Sequence, residues 1–167
     1  MLGLLDEQPA AFTKEDGEVP FRTSIEATGV ELRDAEPSDL PQILAIFNEV
    51  VVNSTAIYFH APVSLANREA WFNARKTAGH PVIVAADGDE VIGFGSFGDW
   101  RPSPGYAWTV EHTVHVRADR RRMGVGRAIV EDLIERARAA GKHVMLGGVD
   151  AEMPPRSPCT SASASSG

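Results

Sequence analysis

Three arginines run into a glycine pair in "DRRRMGVGRAIV", Asp119 to Val130, and the segment that follows is apolar and helix-forming. Gly124 and Gly126 at the head of a helix leave its first-turn amides uncrowded by side chains, and the helix dipole favours an anion there. Arg121, Arg122 and Arg127 add positive charge, so a phosphate or pyrophosphate is the guest such a turn would take. No Gly-Lys-Ser/Thr follows, which excludes a Walker loop, and the dinucleotide fingerprint is incomplete. A lone glycine pair is more often a tight turn with solvated arginines, so the turn needs its context.

That context is a chain of 167 residues, 43% hydrophobic and 23% charged, enough for one domain with a core of its own. The net charge of -7 argues against nucleic-acid or anionic-membrane binding, though a local basic patch can still hold a small anion. Cys159 is the single cysteine, so no internal disulfide forms, and no cysteine cluster suggests a metal site. There is no apolar run near ~20 residues, and the natural expectation is a soluble cytoplasmic protein.

Residues 1–29 carry no clear periodicity and read as a loose leader. Val30 and Leu32 open a short strand. In "SDLPQILAIFNEVV" either Ser38 or Asp39 can N-cap, Pro41 suits a first turn, and Ile43, Leu44, Ile46, Phe47 and Val50 recur at helical spacing. A second helix is expected over Ser64 to Lys76, with Leu65, Trp71 and Phe72 inward. Two apolar runs, Val82 to Ala86 and Val91 to Phe97, join through Asp87-Gly88-Asp89 as an antiparallel hairpin. A third strand spans Ala107 to Val116, and a helix over Gly124 to Ala140 sets Val125, Ile129, Leu133, Ile134 and Ala137 on one face before Gly141. "HVMLGGV" is a last strand, and the order predicts an α/β layer architecture.

Between such a strand and helix, "RRMGVG", Arg121 to Gly126, resembles the acetyl-CoA signature of the GNAT superfamily of N-acetyltransferases: Arg or Gln, two residues, Gly, one residue, Gly or Ala. "RDAEPSDLPQILAIFNEVVVNSTA", "GDWRPSPGYAWTVEHTVHV" and "ERARAAGKHVML" are similar to the phosphinothricin and methionine sulfoximine N-acetyltransferase group, over about Val30 to Glu152. The resemblance implies a mixed, mostly antiparallel sheet flanked by helices, acetyl-CoA as co-substrate without a metal, and a small amino-acid-like amine as acceptor. It leaves a homodimer open. By the same resemblance Val114, His115 and Val116 would offer backbone hydrogen bonds to the pantetheine, and Arg121, Arg122, Met123, Gly124, Val125 and Gly126 would hold the pyrophosphate.

Acetyl transfer needs a neutral amine, so a carboxylate must take the ammonium proton, and the resemblance places a general base at Glu111. With Trp108, Val110, Val114 and Val116 around it, Glu111 is expected in a largely buried segment with its pKa raised. His112 and His115 read as satisfied structural histidines, and Trp100 and Trp108 as packing. The resemblance suggests Arg101, Gly105 and Tyr106 as substrate contacts, with Arg101 reaching a carboxylate or phosphinate. Asn53, Ser54 and Thr55 line the substrate side or simply form a capped loop.

After "VDAE" the family pattern stops, and "MPPRSPCTSASASSG", residues 153–167, has no apolar periodicity. That composition is compatible with a one-nucleotide reading-frame shift, which would leave a disordered tail and an acyltransferase domain, residues 30–152, without its final helix and strands. Two functions compete at this stage: an N-acetyltransferase impaired by that ending, and a non-catalytic acyl-CoA-binding module or inactive remnant.

Overall fold

The computed structural model describes residues 25, 29–55, 57 and 59–148, so the expected tail and all of the expected leader except Ile25 and Gly29 lie outside the described residues. Ile25 is buried in the same apolar cluster as Val30, Ile83 and Ile129.

β1, Val30–Asp34, places Val30 and Leu32 against that cluster. A short 3-10 turn, Pro37–Asp39, leads into α1, Leu40–Asn53. Asp39 occupies the expected N-cap position but does not cap the helix. Its carboxylate accepts from Arg33 Nη1 at 2.7 Å, from Arg33 Nη2 at 2.9 Å and from the Glu36 amide at 2.8 Å, so it ties β1 to the helix entry instead. The bond from Arg33 holds this carboxyl below the usual carboxylate range. α1 buries Leu40, Ile43, Ile46, Phe47 and Val50, while Leu44, expected inward, is half-buried.

α2, Leu65–Thr77, begins where Ser64 Oγ accepts from the Asn67 amide at 3.3 Å. Leu65, expected inward, is 39% exposed. The inward stripe is Arg68, Trp71, Phe72 and Arg75, at the i, i+3, i+4, i+7 spacing of one helical face, so it carries two arginines.

β2, Val82–Asp87, and β3, Glu90–Asp99, form the expected hairpin, with Gly88 at φ +59° in the turn. β4, Thr109–Val116, starts two residues later than expected because Pro104–Tyr106 form a 3-10 turn. α3, Val125–Ala139, and β5, Val144–Gly147, complete a sheet ordered β1-β2-β3-β4-β5. All pairings are antiparallel except β4 with β5. The fold is therefore a mixed, mostly antiparallel sheet with α3 on one face and α1 and α2 on the other, each covering its own apolar cluster. No described helix is long and apolar enough to cross a membrane.

Candidate active site

The phase of the β3–β4 ladder decides what β4 can offer. The Arg117 amide donates to the Ile92 carbonyl at 2.9 Å and the Trp100 amide to the Thr109 carbonyl at 3.1 Å. Backbone direction alternates along a strand, so residues 109, 111, 113 and 115 point their N–H and C=O groups at β3. Residues 110, 112, 114 and 116 point the other way. β5 pairs with β4 only over Thr109 to His112. Beyond that no described strand covers the edge, and Val114 and Val116 present backbone groups to an open gap. The expected trio is thereby divided: the His115 backbone faces Phe94 of β3, and only Val114 and Val116 face the gap. The Val116 carbonyl already accepts from Arg121 Nε at 3.0 Å.

The gap runs into the glycine turn. Gly124 caps α3 in the left-handed region at φ +88°, and Arg122 is also left-handed at φ +64°. The amides of Val125, Gly126 and Arg127 precede the first i→i−4 bond of α3, made by Ala128 to Gly124 at 3.1 Å, and they carry the positive end of its dipole. A Cβ at Gly126 would stand 3.4 Å from Val116 Cγ2, so the helix end lies close against the end of β4. The arginines differ in their commitments. Arg121 pairs with Glu49 at 2.7 Å and Arg127 with Glu131 at 2.8 Å, whereas Arg122 has no ion pair among the described residues, and both Arg122 and Met123 are exposed.

On the α1 and α2 side of β4 a cleft of about 590 Å³ opens, with Glu111, Thr113 and His115 along it. Phe47, Phe59, Trp71 and Phe94 supply aromatic walls. Glu111 is exposed, not buried as expected. Its backbone lies between β3 and β5, but its side chain points into the cleft, away from the face of Val110 and Val114, and Trp108, 58% exposed and stacked on His143 at 5.4 Å, does not cover it. Its cross-strand partner is Gly98, and the Arg75 guanidinium, Nη1 foremost, occupies the space over that glycine where any side chain would overlap it. The shape-determining feature at residue 98 is thus the absence of a side chain.

The two histidines are not satisfied. His112 Nδ1 and His115 Nε2 are buried with no hydrogen-bond partner. Burial, with the charges of Arg68 and Arg121, pushes His115 down to about 4, so its imidazole is neutral at pH 7. Burial also lowers His112, against the opposing charge of Glu111.

Arg68 was not singled out by the sequence reading, yet it lines the cleft and is only 5% exposed. Its guanidinium stacks 4.0 Å over the Phe47 ring and 5.1 Å from Trp71. The signal was present as an arginine in phase with Trp71 and Phe72 on the inward face of a helix. Thr55 lines the cleft as well, while Asn53 and Ser54 end α1, Ser54 Oγ donating to the Val50 carbonyl at 3.0 Å. Arg101, Gly105 and Tyr106 are not brought to the cleft. They sit on the exposed loop before β4, where Arg101 lies 5.2 Å from the Trp100 ring and 5.9 Å from Tyr106. No group of three or more His, Cys, Asp or Glu side chains among the described residues is placed to hold a metal ion.

An open strand edge with outward amides, ending at an uncrowded helix N-terminus, fits a ligand that carries amides along its length and phosphates at one end. The comparisons with known proteins agree. The profile of the acetyltransferase (GNAT) family matches residues 43–155. The chain is 53% identical over 120 residues to the L-methionine sulfoximine/L-methionine sulfone acetyltransferase of Pseudomonas paraeruginosa, covering 71% of this chain and 70% of the relative. It is 29% identical over 120 residues to the phosphinothricin N-acetyltransferase of Streptomyces viridochromogenes, covering 71% and 64%. A solved acetyltransferase from Salmonella typhimurium with its cofactor acetyl-CoA superposes with a TM-score of 0.72 at 39% identity, covering 74% of this chain and 72% of that one. The chain belongs to the acetyltransferase (GNAT) family.

Proposed function

We propose that the chain transfers the acetyl group of acetyl-CoA to the amino group of a small amino acid or analogue of the methionine sulfoximine, methionine sulfone or phosphinothricin kind. The observation that carries this is the open edge of β4 at Val114 and Val116 leading into the Gly124 turn, beside a cleft that holds one carboxylate on its floor. Bound acetyl-CoA supplies the activated acyl carbon. Val114 and Val116 hold the pantetheine through backbone amides, and the residues Arg121 to Gly126 hold the pyrophosphate through first-turn amides, with Arg122 as the uncommitted cation. Glu111, exposed to water, takes the proton from the acceptor ammonium directly or through a water molecule and returns it to solvent. The neutral amine then forms the C–N bond as the C–S bond breaks, and the proton released by the acylated nitrogen goes to the departing thiolate.

The aromatic walls give the acceptor an apolar surface to lie against beside Glu111. The exposed apolar surface of Trp108 and Val144, where β4 meets β5, supports the homodimer expectation, which sedimentation velocity checks.

The test is release of free CoA thiol from acetyl-CoA with L-methionine sulfoximine present. Glu111→Gln should lower turnover by about 10²-fold while calorimetry shows acetyl-CoA bound as in the unchanged chain. Near-normal turnover in that variant at neutral pH would remove Glu111 from the chemistry.

A further inference from the structure

Of the cleft residues, Arg68 is the one whose buried charge meets no opposite charge in the described fold. A guanidinium this deep gives up hydration that an anion would replace, and no carboxylate among the described residues pairs with Arg68. Desolvation is the whole of the downward pressure on its protonation. How its donors are used shows what is missing. The flat face of the guanidinium is given to the Phe47 ring at 4.0 Å. Asn67 Oδ1 accepts from Nε at 3.3 Å and from Nη2 at 2.8 Å, occupying one side of the plane. One hydrogen on Nη2 and both on Nη1 remain, and they form the end-on fork that matches the two oxygens of a carboxylate. His115 in the same cleft is neutral and does not compete for that anion.

We propose that Arg68 is the specificity-determining residue of the acceptor site, selecting amines that carry a carboxylate through a bidentate contact. The inference rests on the acetyl-transfer reading for the identity of the acceptor. The cleft then recognises a zwitterion at both ends: Arg68 takes the carboxylate, Glu111 faces the ammonium, and Ile57 and Phe59 line the space for the side chain. The orientation follows from chemistry, because two opposite charges fixed on opposite groups leave a single way to seat an amino acid. It also assigns the anion-reading task to a residue on α2 instead of Arg101, which lies outside the cleft lining.

The alternative is a structural strut, in which Arg68 only props Phe47 and Trp71 apart. The experiment compares L-methionine sulfone with its carboxamide, which keeps the amine and the size but removes the charge. Calorimetry with CoA present is run on the unchanged chain, on Arg68→Gln and on Arg68→Lys, with melting curves for each. The expected result is a preference of about tenfold or more for the acid in the unchanged chain. Arg68→Gln should lose about 30-fold or more of the acid affinity with amide affinity little changed, and Arg68→Lys, which keeps the charge without the fork, should fall between. Equal binding of acid and amide by the unchanged chain overturns the assignment, as does failure to bind either. Equal weakening of both ligands in Arg68→Gln indicates the strut. If Arg68→Gln does not fold, Arg68→Lys and the acid-to-amide ratio of the unchanged chain still decide. CoA-thiol release, read in parallel, separates the two readings: acid-selective binding without turnover keeps Arg68 and sinks acetyl transfer, and turnover indifferent to acid or amide does the reverse.

Discussion

The two faces of the sheet are built from the same strands and used in opposite ways. On one face α3 sets Val125, Ala128, Ile129 and Leu133 against β3 and β4, all of them buried, and Gly93 and Gly95 leave room for Ile129 to lie directly on the strand. On the other face α2 sets Arg68 among Phe47, Trp71 and Phe94 and Arg75 over Gly98 of β3, and the space between helix and strand stays open as the cleft. A glycine does opposite work on each face: Gly95 admits an isoleucine that closes a core, and Gly98 admits a guanidinium that borders a site. The difference shows that the site is a region where the core was left unfilled and then charged. Both faces hold an apolar cluster, but only the α1 and α2 face combines its cluster with a buried arginine and the unpartnered His115 imidazole.

The sharpest way to break this contrast is to damage the closed face. Leu133→Ala removes a fully buried side chain and should cost about 2–5 kcal/mol of stability, read as a shift in denaturant midpoint, with acetyl-CoA affinity near normal in the protein that remains folded. A loss below about 1 kcal/mol would mean that the α3 face is not a closely packed core.

A smaller and more local effect is expected at the junction of the two faces. Gly124→Val forces a branched residue into the left-handed cap of α3, and Gly126→Val crowds the first-turn amides against Val116; each should weaken acetyl-CoA by about tenfold or more, while Glu135→Ala on the exposed side of α3 should not. Equal affinity in all three variants would reduce the turn to a structural element.

The smallest effect concerns pH. His115 is depressed to about 4 in the folded chain from an ordinary value of 6.5. Between those values the unfolded chain binds more protons than the folded one, so stability is full above about 6.5 and falls as the pH drops towards about 4. His112, also lowered by burial, adds a contribution of the same sign. Replacing His115 with Gln should flatten the acid limb of stability against pH, and an unchanged limb would assign it to other groups.

The elements were legible because each carries its own period: the α1 stripe, the Asp87-Gly88-Asp89 hairpin and the α3 stripe appear within a residue or two of where the spacing puts them. The turn was legible too, since its glycines, arginines and position between strand and helix are all local. The cleft was less so. Leu65 is the apolar residue at the start of α2, but the inward face of that helix runs through Arg68, Trp71, Phe72 and Arg75, and hydrophobicity does not mark an inward arginine. Glu111 looked buried because valines flank it in sequence, but flanking residues on a strand point to the opposite face. His112 and His115 looked satisfied because most buried imidazoles find partners.

What the sequence determined by itself was the family, the order of elements and the anion-binding turn, because periodicity, capping and a short motif are set by neighbours along the chain. The tertiary structure alone decided which amides of β4 are free, which buried arginine of the cleft meets no acid among the described residues and where the carboxylate meets water. Those follow from strand register, from β5 leaving β4 after His112 and from α2 crossing above Gly98, and each is a relation between residues far apart in the chain. Local pattern places a side chain on a face; only the packing of one element on another settles whether that face meets a partner, a ligand or solvent.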